Sequence, residues 1–309
     1  MGNHVFADHP TRRSGSAEGL EVMDLTGGIV GIYAGLTEES MNMVGTMKST
    51  TPLVETFTQH VVPVYLEFTK SNEPKQPFVF TAFAIQVRGH WLLATAGHCL
   101  QKVGELRQQG WLLEKARLID ALSVAAKYLD PIPFDYDAAL PTVPLDADLM
   151  DYGLLLLNDL EAAQLAANGV IPLDEGAWPD EETQPEMFFV CGVPERGSKL
   201  TTREVRLKAV SARLRPLDSC PEELGNHALR CYFEVVPTDQ LPSMVGISGG
   251  PIFATRVVDG RTKYWIWGVQ SAQAANFPQK PYIAANLVGP LVRFLGEVAD
   301  GRHSELVGK

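Results

Sequence analysis

The sequence predicts an all-β protein of two folding units, ending in one helix. Three observations predict this. Short apolar runs of strand length recur from residue 61 to residue 271, set apart by Gly, Pro and polar residues. Strands spaced so closely suit a barrel or sandwich better than βαβ units. A length of 309 residues allows about two units at roughly 150 residues each.

Residues 1–58 read as an extension. Its first 28 or so residues are rich in Gly, Ser, His and charge, like a loose leader. Thr37–Met47 could form a short helix, with Thr37 as cap and Glu38 and Glu39 in its first turn. The first β unit is 59–171. VVPVYLEF reads as a strand, SNEPKQP as a turn, FVFTAFAIQV as a second strand, RGH as a tight turn and WLLATA as a third strand. LLEKARLIDAL fits either a helix or a loop running into the strand ARLIDAL, and its strand neighbours favour the second. Asp130 to Pro144 carries four prolines and cannot hold a long helix. DYGLLLL reads as a buried strand, and DLEAAQLAANG as a short helix stopped by Gly169.

Residues 172–185 are acidic and Pro-rich and read as a linker. The second β unit, 186–309, contains MFFVCGV, REVRLKAVSARLR, CYFEVV, PIFATRVV and YWIWGVQS. ANLVGPLVRFLGEV then reads as an amphipathic helix with Leu287, Leu291, Phe294, Leu295 and Val298 on one face.

Composition narrows the function classes. Hydrophobic residues make up 45% of the chain, which fits a folded core and not a disordered segment. Asp and Glu outnumber Lys and Arg 37 to 26, a formal charge of −11, which disfavours nucleic acid as a partner. The apolar runs are too short to span a bilayer, and the N-terminus has no secretory pattern. Cys99, Cys191, Cys220 and Cys231 contain no CxxC pair, so no zinc site is indicated. Reduced thiols in the cytoplasm are the expectation; the alternative is one disulfide between Cys220 and Cys231.

Three motifs carry chemistry. Thr95-Ala96-Gly97-His98-Cys99 ends an apolar strand and puts a histidine at its terminus. Alone, a histidine there is more often structural. Asp151 opens the apolar strand DYGLLLL, where a carboxylate needs a partner such as a histidine N–H. A strand-start turn residue reads the same way, and Asp137, Asp146, Asp148 and Asp159 stand nearby as other candidates. Gly246-Ile247-Ser248-Gly249-Gly250-Pro251 sets three glycines around one serine. Such a turn can aim backbone N–H groups at one point, as a developing oxyanion requires.

Together the motifs run His, Asp, Ser, spaced by 53 and then 97 residues. This order resembles the trypsin-like, chymotrypsin-fold serine peptidases, with motifs of the TAAHC, DxALLxL and GDSGGP type, over about Val61 to Val298. The resemblance implies two packed six-stranded antiparallel β-barrels followed by a C-terminal helix. It implies a serine endopeptidase with Ser248 as nucleophile, His98 as general base and acid, and Asp151 holding the imidazole tautomer. The N–H groups of Gly246 and Ser248 would form the oxyanion hole. Pro242 and Ser243 would lie at the substrate pocket, and Ser271, Ala272 and Gln273 would bind substrate backbone. No metal or cofactor is implied. The implied partner is a polypeptide substrate, and the long segments 100–144 and 159–185 leave surface for an unidentified regulatory protein.

The sequence departs from the family in three places. Ile247 stands where secreted digestive members carry an Asp that pairs with a new N-terminus, so activation by N-terminal insertion is not expected. The strand before His98 has no cysteine to pair with Cys99, so Cys99 is expected to be a free buried thiol. Pro242 replaces the pocket-floor Asp that selects Arg or Lys, although Asp239 is near in sequence. Two rivals remain. GISGG also fits the nucleophile elbow of α/β-hydrolases, which would need His303 with Asp259 or Asp300 downstream. The same fold can also serve as a silent binding module.

Overall fold

The computed structural model describes residues 33–35, 52–122, 126–127, 130–140, 151–179, 183–195, 198–200, 205–225, 227–236 and 244–299. The predicted helix Thr37–Met47 and the positions Pro242, Ser243, Asp239, Asp300 and His303 lie outside them. The described chain is mostly β, with a closed six-stranded barrel and a C-terminal helix.

In chain order, the first half contains β1 (Tyr33–Gly35), α1 (Pro52–Thr58), β2 (Val64–Thr69), β3 (Gln76–Phe80), β4 (Phe83–Val87), β5 (His90–Ala96) and α2 (Gly97–Gln108). It continues with β6 (Leu112–Leu118), β7 (Ile132–Pro133), α3 (Tyr136–Ala139), β8 (Tyr152–Leu156) and α4 (Asp159–Ala167). The second half holds β9 (Met187–Gly192), β10 (Lys199–Leu200), β11 (Val205–Lys208), β12 (Val210–Pro216), β13 (Arg230–Val235), β14 (Pro251–Val258), β15 (Arg261–Gln273), β16 (Tyr282–Leu287) and α5 (Val288–Ala299).

The closed barrel has the strand order β12-β13-β16-β15-β14-β9, every neighbouring pair antiparallel. Its interior is filled by side chains such as Val190, Leu214, Phe233, Ile252 and Ile283. β1 pairs with β11 in a small sheet β1-β11-β10, and the rest of the first half is arranged as two open sheets, β3-β2-β6-β7 and β4-β5-β8. They meet at one corner, where Val62 N–H donates to Ala82 C=O at 2.8 Å and Ala84 N–H to His60 C=O at 2.9 Å.

That corner corrects one expectation. FVFTAFAIQV is not one strand; it breaks at Thr81-Ala82 into β3 and β4, which belong to different sheets. A continuous apolar run reads as continuous in sequence, and only the partners at 60–62 force the turn. The tight turn RGH holds, with Arg88 at φ 51° and Gly89 at φ 88° joining β4 to β5. α4 also holds, opened by an Asn158–Glu161 capping box and followed by Gly169 at φ 85°. A second correction is the final helix, which starts at Val288, because Asn286 and Leu287 end β16. α2 is a helix for which the sequence carries no local start signal, since Ala96 precedes it.

The two halves share one core. Phe57, Phe83 and Leu154 of the first half pack in the same cluster as Phe189, Phe253 and Leu291 of the second. Phe57 stacks on Phe253 with ring centroids 4.3 Å apart. The predicted linker joins this packing, with Leu173 buried and bonded to Ala84 and Gln86 through its backbone. All four cysteines are free, so the Cys220–Cys231 disulfide does not form. Among the described residues no helix is long and apolar enough to cross a membrane, and no three His, Cys, Asp or Glu side chains cluster to hold a metal.

Candidate active site

His98 and Asp151 meet at the end of sheet β4-β5-β8. β5 and β8 are neighbours, with Ala96 opposite Tyr152, so the residues just beyond them face each other. A helix begins at Gly97, and its first N–H groups need acceptors. Ala96 offers no side-chain cap. Asp151 supplies both acceptors: its C=O takes Gly97 N–H at 3.1 Å and its Oδ1 takes His98 N–H at 2.7 Å. A carboxylate is favoured there by the positive end of the helix dipole. Its other oxygen, Oδ2, lies 2.8 Å from His98 Nδ1. Asp151 therefore holds His98 by main chain and by ring, with Nδ1 turned to the carboxylate. Gly97 leaves room for this grip, since a Cβ there would lie 3.0 Å from Asp151 Oδ1.

Burial disfavours the charged imidazolium. Hydrogen bonds to Asp151 and to the Cys99 side chain, with the nearby negative charge, outweigh it and push His98 up to about 10. The His98 side chain is 41% exposed and that of Asp151 18%.

The serine loop is two successive tight turns. Ile247 N–H donates to Met244 C=O at 3.0 Å, and Gly250 N–H to Ile247 C=O at 2.7 Å. The third residue of each is a glycine at positive φ, Gly246 at 91° and Gly249 at 87°, the pattern of type II turns. Both glycines are also forced by contact. A Cβ on Gly246 would lie 2.6 Å from Glu195 N, and one on Gly249 would collide with Thr95 Oγ1 and Thr81 C=O. Gly249 thus lets the serine loop pack directly on the end of β5, the strand that leads into His98.

These turns aim two N–H groups. A trans peptide points its N–H opposite to its own C=O. Val245 C=O is held by Glu195 N–H at 2.8 Å, and Ile247 C=O by Gly250 N–H. The N–H groups of Gly246 and Ser248 are turned the other way. Among the described residues they donate to no protein acceptor, whereas Ile247, Gly249 and Gly250 all donate. Gly246, Ser248 and His98 line one cleft of about 330 Å³, with Phe78, Phe80 and Cys99. Cys99 Sγ lies 3.7 Å from Ser248 C=O. Among the described residues no hydrogen bond joins His98 to Ser248.

Of the other expected positions, Ser271 is buried and its hydroxyl donates to Ala284 C=O at 3.4 Å. Ala272 and Gln273 follow it on β15, paired with Ala284 and Ile283 of β16. Ile247 is fully buried in the barrel core. The sequence reading missed Asn286, whose Nδ2 donates to Asp151 C=O at 2.9 Å while its Oδ1 accepts from Arg230 Nε at 3.3 Å. It also missed Thr81. Neither stands in a motif; both act across sequence separations above 130 residues.

No protein-family profile matches the chain, and no curated protein matches it.

Proposed function

We propose that this protein is a serine endopeptidase of the trypsin-like kind, working through an acyl-enzyme. The observation that carries the proposal is a single cleft holding Ser248, a histidine gripped from behind by Asp151, and two unengaged backbone N–H groups. On this reading His98 takes the Ser248 proton as the hydroxyl attacks a peptide carbonyl. Gly246 and Ser248 N–H groups hold the developing oxyanion. His98 then gives the proton to the departing amine, and water releases the acyl group by the same steps in reverse. Nothing in these steps calls for a metal or cofactor.

The polypeptide would lie along the cleft, with Ser271, Ala272 and Gln273 offering backbone groups and Pro242 and Ser243 nearer the side-chain pocket. The first half would be a second six-stranded barrel in the chymotrypsin arrangement, its sheets joined at the 60–62 and 82–84 corner. The turn that aims Gly246 N–H is held by bonds within the chain. Activity is therefore expected without N-terminal cleavage, and a regulatory partner would modulate a site that is otherwise assembled.

The test is labelling with a fluorophosphonate probe, which reacts with activated serines. The probe is expected on Ser248, with labelling abolished by Ser248→Ala and by His98→Ala. Folded protein that takes no label would sink the peptidase reading in favour of a binding module.

A further inference from the structure

Thr81 belongs to no motif, yet it is fully buried where three segments meet. It sits at the break between β3 and β4. Its hydroxyl donates to Gly246 C=O at 2.9 Å and accepts Val193 N–H, also at 2.9 Å. Its own C=O accepts Thr95 Oγ1 at 2.7 Å. One side chain thus ties the first half to the serine loop and to the chain leaving β9. Two residues further on, Glu195 N–H holds the carbonyl that turns Gly246 N–H toward the cleft. Gly192 makes room for the arrangement, because a Cβ there would lie 2.8 Å from Ile247 Cγ2 and 3.1 Å from Thr81 Oγ1.

We propose that Thr81 is a positioning residue, whose hydroxyl locks the Gly246 peptides and the 193–195 segment into the orientation that leaves two N–H groups free for an oxyanion. The inference rests on the acyl-transfer reading of the site. A hydroxyl is required because the position needs a donor and an acceptor in one buried atom. Valine has the same shape and offers neither, leaving Val193 N–H buried without a partner and the partly buried Gly246 C=O unheld. With that lock gone, the 193–195 segment and the Gly246 turn are free to shift, and the donors no longer converge. The loss falls on the chemical step and not on probe binding.

The test uses the full chain and the fluorophosphonate probe, with the maximal labelling rate and half-saturating concentration measured separately, beside thermal unfolding. Thr81→Val is expected to lower the maximal rate about ten- to hundred-fold with the half-saturating concentration nearly unchanged. Thr81→Ser keeps the hydroxyl and is expected to stay within roughly three-fold of the wild type. Should the valine variant fail to fold, Thr81→Ala takes its place with the same expectation. Equal rates in wild type and the valine or alanine variant overturn the proposal. Serine and valine variants that fall together also overturn it, since the methyl group and not the hydroxyl would then matter. A wild type that takes no label overturns the acyl-transfer reading and this inference with it. A labelled wild type with an unaffected Thr81→Val variant overturns this inference alone.

Discussion

At the residue scale the informative group is His98. Burial works against its charged form, but hydrogen bonds to Asp151 and Cys99 raise the ring above the ordinary 6.5 to about 10. A raised histidine contributes stability that is fully present below 6.5 and lost as pH rises through about 10. On the proposed acyl-transfer reading the chemistry runs the opposite way, because a base must be neutral to take a proton. The probe-labelling rate is expected to climb with pH across and above neutrality, with an apparent pKa above 6.5. Asp151→Asn removes the charge, and it should bring that limb back down while slowing labelling on the order of 10⁴-fold. A rate flat with pH would count against His98 as base. The pair was legible through the His, Asp, Ser order that resembles the trypsin-like peptidases; strand position alone left the acid open. Asn286 and Thr81 were not, because a single buried polar residue has no spacing to betray it.

At the scale of elements, α2 shows why sequence signals fail. A helix start is read from a Ser, Thr, Asp or Asn just before it, and here the preceding residue is Ala96. The capping acid is Asp151, brought from another strand. The same substitution of a distant partner for a local one explains the split of β3 from β4. The serine loop was legible, since glycines at such spacing announce positive φ. Its packing supplies a prediction. Gly249→Ala combines an unfavourable φ with a collision against β5 and is expected to cost about 3 kcal/mol or more. Urea unfolding would show it, and a near-neutral result would mean that the loop does not press on β5 as described.

At the scale of the molecule, the halves share a core, and they should unfold together. Calorimetry is expected to show one transition, with calorimetric and van't Hoff enthalpies equal. Phe57→Ala removes the ring stacked on Phe253 and should destabilise the whole molecule by about 3–5 kcal/mol. Two separate transitions would refute the shared core. Acid should act at the same seam. His60 is buried there, its Nδ1–H donating to Ile171 C=O at 2.7 Å and its Nε2 accepting from the Tyr264 hydroxyl at 2.9 Å. Burial lowers its pKa from 6.5 to about 4, against a smaller opposing effect of the Ile171 bond. The unfolded chain therefore takes up the proton first, and stability present above 6.5 drains away toward 4, on the order of 3 kcal/mol. His60→Gln should flatten that slope in denaturation curves taken across the range; an unchanged slope would place the acid sensitivity elsewhere. The closed barrel was legible in the closely spaced strands of the second half. The shared core of the two halves was not, because apolar residues carry no label of the neighbour they will meet.

The two glycine turns also govern how such a molecule ages over generations. Ser248 itself has no positive φ, so another small residue can stand there at little cost to folding. Gly246 and Gly249 cannot be exchanged without collision. Mutation could therefore erase the proposed reaction in one codon while selection for folding preserves the surrounding loop. Silent descendants of this chain would be recognised by intact glycines around a vanished serine.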